Sequence, residues 1–109
     1  MIDETAIQQG KTVAILSYIT ILGALIAMSM NSEKKNAFAS FHIRQALGLS
    51  VVFFLLGFVI TMFDNFGVTT GFWGFFFILW LYGFLGALQG KFHLIPIMGI
   101  FFQKFFKKL

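Results

Sequence analysis

Three side chains with strong hydrogen-bonding capacity stand together in the stretch Phe41-His42-Ile43-Arg44-Gln45. His42 can donate and accept, Gln45 does both through its amide, and Arg44 is a permanent cation whose fork suits carboxylates, phosphates or carbonyl oxygens. Directly after them Ala46 to Phe63 run for 18 residues without a charge. Polar groups at the edge of such a run are costly near hydrocarbon unless they are paired, so the cluster demands partners. What those partners are decides what the cluster does.

Several chemistries can be weighed. A proton relay needs a second titratable group, and no carboxylate lies inside the apolar runs. His42 and Gln45, one helical turn apart, are therefore read as structural glue, hydrogen-bonding a common group on a neighbouring helix. A metal site built on His42 and His93 lacks any companion Asp, Glu or Cys, so no metal or other cofactor is expected. Ser17, Ser29 and Ser50 have no acid–histidine constellation, and Asp64 is expected across the membrane from His42. Catalytic residues are not expected, and the chain is read as a non-enzyme. For Arg44 the options stay open: a lipid phosphate, the end of a neighbouring helix, a partner's carboxylate, or snorkelling to the interface.

The elements that carry these residues follow from composition and hydropathy. Of 109 residues, 59% are hydrophobic and 11% charged, far below the roughly 25% charged residues of soluble domains. Three apolar runs each approach the ~20 residues a spanning helix needs, which predicts an all-α integral membrane protein. The absence of cysteine removes disulfides and thiol chemistry. The basic surplus lies beside apolar runs, pointing to anionic headgroups as partners and away from nucleic acid.

In chain order, residues 1–11 read as a polar tail or a frayed helical turn, its acidic start unlike a signal peptide, and 12–95 as a three-span membrane domain. The first span covers Thr12 to Met30, where Gly23 and Ala27 have small-xxx-small spacing. A turn at Asn31 to Asn36 leads into helical periodicity from Ala37, before the second span over 46–63. Asp64-Asn65-Phe66-Gly67 is turn-like, and the third span covers Phe72 to Leu88 with Trp73 as a belt residue. Gly83, Gly86 and Gly90 form a small-residue seam that suits a dimer, packing within the bundle, or a partner subunit. Residues 96–109, opened by Pro96, read as an amphipathic interfacial helix whose Lys104, Lys107 and Lys108 meet lipid headgroups; docking into a partner's groove is the alternative. Three spans leave Lys11 alone on one side against seven Lys and Arg on the other. The positive-inside rule then predicts an outside N-terminus and a cytoplasmic C-terminus; a re-entrant first run would bring the tail inside.

The combination Phe41-His42-x-Arg44-Gln45-Ala46-Leu47, Ala87-Leu88-Gln89-Gly90-Lys91 and Ile95-Pro96-x-x-Gly99, with Ser17-Tyr18 upstream, resembles a family of small bacterial membrane proteins. That family is similar to the membrane component of the chloroplast inner-envelope protein-import (Tic) translocon. The resemblance implies a non-enzymatic accessory or scaffold subunit of a bacterial inner-membrane complex linked to protein transport. It also implies that His42, Arg44 and Gln45 hold the ends of the spans against Gln89, Gly90, Pro96 and Gly99. The chain departs from the four-span plant protein in its short fourth element, and its spans carry no polar path for a pore. A small homo-oligomeric channel or transporter built on the glycine seam is the rival reading.

Overall fold

The computed structural model describes residues 4–107, and these are all-helical: α1 (Glu4–Ser17), α2 (Ile21–Asn31), α3 (Ala37–Ile60), α4 (Phe66–Gln89) and α5 (Gly99–Phe105). The two long helices follow from uncharged runs bounded by caps. Asn36 and Asn65 accept the backbone N–H of Ala39 and Val68 at 3.0 Å each, satisfying donors that a helix start leaves orphaned. At the far end of α4, Gly90 turns left-handed at φ 70° and Lys91 N–H returns to Gly86 O at 2.8 Å. At 24 residues each, α3 and α4 are ~36 Å long, long and apolar enough to cross a membrane. The cap at Asn65 starts α4 at Phe66 rather than at 72.

The run expected to form one span over 12–30 does not do so. It breaks at Tyr18 to Thr20 into α1 and α2, of 14 and 11 residues, and these arms of ~21 and ~17 Å are each too short for a ~30 Å hydrocarbon core. Ser17 Oγ–H bends back to Ala14 O at 2.6 Å, and Thr20 starts the next helix by accepting Gly23 N–H at 3.1 Å. Gly23 lies against Leu16 O, where a Cβ would not fit. Tyr18 O, freed from the helix ladder, accepts Trp80 Nε1–H at 2.7 Å. Of the expected tail, residues 4–11 are helical, because α1 begins at Glu4, and residues 1–3 lie outside the described residues.

The two arms form a hairpin along α3. Asn36 Nδ2 donates to Ala6 O at 2.8 Å, and Asn31 Nδ2 to Ser40 Oγ at 2.8 Å. Hence the start of α1, the Ser32–Lys35 turn, the start of α3, the end of α4 and α5 share one end of the molecule, and Asp64 marks the other. Small residues allow this closeness: Ala14, Ala24, Ala27, Ala39 and Ala87 are each 0% exposed. The hairpin tip reaches only the level of Leu49 and Phe53 on α3 and Trp73 and Phe77 on α4. Past the tip, α3 and α4 pack on each other alone, through Phe53 against Phe72, Trp73 and Phe76. Their other faces, including Phe54, Leu55, Phe58 and Ile78, are exposed.

Candidate functional site

The site forms where α1 breaks. Tyr18, at the broken end, points its ring back toward α3, and Gly83 makes room on α4; a Cβ there would stand 2.9 Å from the Tyr18 ring. His42 Nε2 lies 2.8 Å from Lys91 O, and a carbonyl only accepts, so Nε2 carries the proton. His42 Nδ1 is then an acceptor, and Tyr18 Oη–H donates to it at 2.7 Å. Gln45 Nε2 donates to Tyr18 Oη at 3.1 Å and to His93 O at 2.8 Å, while Gln45 Oε1 accepts Ile95 N–H at 2.6 Å. His42 and Gln45 are both 0% exposed, and every polar atom of their side chains has a partner. In this neutral arrangement each hydrogen meets one acceptor; an imidazolium would leave the Tyr18 hydroxyl hydrogen with none.

This network joins three stretches distant in sequence: the α1–α2 break, the first turns of α3, and the Lys91–Ile95 segment after α4. It resembles a closed clasp. Both ring nitrogens of His42 are engaged, so no lone pair is left for a metal. Phe38 and Phe41 meet the imidazole edge-on, at 4.7 Å and 5.1 Å between ring centres, and Phe92 packs on both of them, a shell that excludes water. His93 turns its ring onto Tyr82 at 4.8 Å. Its Nδ1 is the one buried side-chain nitrogen or oxygen without a partner among the described residues, a cost kept small if the proton sits on Nε2.

Arg44 faces the other way, toward α5. Its Nε donates to Phe106 O, Nη1 to Gln103 Oε1 and Nη2 to Lys107 O, each at 3.2 Å. It thus holds carbonyls that the end of α5 leaves unpaired. Gln103 Nε2 returns the contact by donating to Phe41 O at 2.9 Å.

Of the residues singled out in the sequence, His42 and Gln45 meet the Lys91–Ile95 backbone, and Gly99 lets the next turn approach: a Cβ there would stand 2.8 Å from Leu94 and 3.1 Å from Gln45 Oε1. Pro96 is exposed in that turn, and its carbonyl accepts Met98 N–H at 2.7 Å. Gln89 is exposed and outside the network, whereas Gly90 supplies the left-handed cap, with Ile7 packed on it. The glycine seam is filled by the chain itself, Gly83 by Tyr18 and Gly86 by His93.

The helix expected over 96–109 is shorter. Ile97 sits at φ 70° and cannot be helical, and Gln45 has taken Ile95 N–H, so α5 spans only Gly99–Phe105. Lys104 and Lys107 are exposed, while Lys108 lies outside the described residues. Tyr18, Trp80 and Gln103 are the members of the site that the sequence reading did not assign. A signal for the first two was present, since a Tyr or Trp inside an apolar run carries a polar atom that must find a partner when buried. No protein-family model, no curated protein and no solved structure matches the chain.

Proposed function

We propose that the chain is a non-enzymatic scaffold or accessory subunit of a bacterial inner-membrane complex linked to protein transport. It is anchored by α3 and α4 as spans, with α1–α2 as a re-entrant hairpin. The observation that carries this reading is the closure of the polar network: Tyr18, His42 and Gln45 are satisfied by one another and by the chain's own backbone. Toward and past the hairpin tip the fold presents apolar surface: Phe54, Leu55, Phe58, Phe77 and Ile78, on faces of α3 and α4 that no other described helix covers. Such faces suit lipid and the helices of partner subunits.

The two halves of the resemblance motif touch, through His42 to Lys91 O and Ile95 N–H to Gln45; the protein-transport setting rests on the resemblance alone. With the hairpin folded back, the described Lys and Arg gather toward one end and Asp64 is the charged residue of the other. By the positive-inside rule this favours a cytoplasmic location for both the start of α1 and α5. A homo-oligomeric channel loses its footing, because the glycine seam it needs is occupied by Tyr18 and His93.

Photocrosslinkers placed singly at Phe58 and Ile78 in living cells test the subunit reading. The expected result is a discrete protein adduct from at least one position. Adducts with lipid alone, together with recovery of a lone monomer in mild detergent, would overturn it.

A further inference from the structure

Among the described residues Arg44 is held by neutral oxygens only, so its three bonds to Phe106, Gln103 and Lys107 leave its charge without a described counterion. They also leave two of its five N–H donors unused. Lys104 and Lys107 stand exposed on the same segment. The acids described at this end, Glu4 and Glu33, belong to α1 and to the turn before α3. Below Arg44 one side of α3 continues through Gly48, Val51 and Leu55, at helical spacing. Gly48 lets the Phe102 ring lie directly on the α3 backbone, so α5 roofs this face. A groove of about 460 Å³ remains between the two helices, floored by Gly48, Val51 and Val52, walled by Phe101 and Phe105, with Lys104 at its rim. Val51 is 38% and Leu55 65% exposed.

We propose that this groove binds one anionic phospholipid, its phosphate at Lys104 and at Arg44 one turn before Gly48, and an acyl chain along Val51 and Val52 between Phe101 and Phe105. The inference rests on the membrane reading given above. A free anion would match the cations and leave the apolar floor bare, and an apolar helix would do the reverse. An anionic lipid carries charge and chain in the order the groove requires, at the boundary where headgroup meets hydrocarbon. The volume lies within the ~300–1,000 Å³ of ordinary ligand sites.

Native mass spectrometry of the full chain, released from micelles holding equal phosphatidylglycerol and phosphatidylcholine, reads the site directly. The expected spectrum shows one retained phosphatidylglycerol per chain. Lys104→Gln should weaken that retention about fivefold, from ~1 kcal/mol per lysine near a headgroup. Val51→Trp, at an exposed floor position, should abolish it by filling the groove while helix content is kept. Arg44 is left intact because it also holds α5. Equal retention of the two lipids, retention unchanged in both variants, or a lipid-free dimer or protein complex in place of the adduct would each overturn the proposal. Reconstitution into pure phosphatidylcholine vesicles separates the two levels of the argument. Failure to resist alkaline extraction there would sink the membrane reading, whereas stable insertion there together with equal retention of the two lipids from the mixed micelles would sink only the lipid site.

Discussion

Replacing Gln45 by Leu removes three hydrogen bonds at nearly constant volume: to Tyr18 Oη at 3.1 Å, to His93 O at 2.8 Å and from Ile95 N–H at 2.6 Å. The stranded Ile95 N–H belongs to a residue 1% exposed, so it bears most of the ~1–3 kcal/mol desolvation cost of an unmet buried donor. His93 is half-buried and Tyr18 keeps its bond to His42, so these two add only ~1 kcal/mol together. The expected loss is therefore ~2–4 kcal/mol. Hydrogen bonds between helices in membranes average nearer ~0.6 kcal/mol each, which puts three of them at ~2 kcal/mol, the lower edge of the same range. Either figure is a large share of a typical 5–15 kcal/mol stability. Unfolding in mixed micelles of rising sodium dodecyl sulfate, followed by tryptophan fluorescence, measures it, and Trp80 beside Tyr18 is a local reporter. Tyr18→Phe alone should cost ~1 kcal/mol, and the pair should be non-additive, because the two residues share a bond. Gln45→Leu unfolding within ~0.5 kcal/mol of the natural chain would refute the view that the clasp holds these segments together.

Glycine substitutions along α4 should divide by position: Gly86→Leu meets His93 and should melt well below the natural chain, whereas Gly74→Leu meets nothing within 4 Å and should melt with it. The cysteine-free chain allows single-cysteine mapping, and Gln8→Cys and Glu33→Cys should label from one face of sealed vesicles, Asn65→Cys from the other. Labelling of Gln8→Cys together with Asn65→Cys would instead mean that the first apolar run spans. Ile97 is 75% exposed at φ 70°, so Ile97→Gly should raise stability by ~0.5–1 kcal/mol through relief of left-handed strain; a loss seen in the same denaturation assay would contradict this.

The two long helices were legible because charge and capping chemistry mark their ends: Asn36, Asn65 and Gly90 all sit at boundaries set by backbone groups needing partners. The break at Tyr18 was not legible from hydropathy, which registers that Thr12 to Met30 is uncharged but not whether the backbone doubles back. That choice is made by distant groups, Trp80 taking the Tyr18 carbonyl and His42 taking its hydroxyl. The demand of His42 and Gln45 for partners was likewise readable; the Gln89-to-Gly99 stretch came only from the resemblance, and that the backbone of Lys91, His93 and Ile95 would meet the demand was not legible. For α5 the amphipathic pattern of residues 96–109 misled, because the Ile95 N–H and the Ile97 conformation are fixed by Gln45 and the turn rather than by local propensity.

The clasp also sets an order of assembly. Tyr18 finds its carbonyl partner 62 residues later, at Trp80, and His42 and Gln45 wait 49 and 50 residues for Lys91 and Ile95. At ~5–20 residues per second, synthesis leaves the N-terminal hairpin without its closing bonds for ~3–12 s. During that interval α1 and α3 hold hydroxyl, imidazole and amide groups at the edge of the bilayer without these partners, and the segment that closes the clasp is made well after the ones it locks.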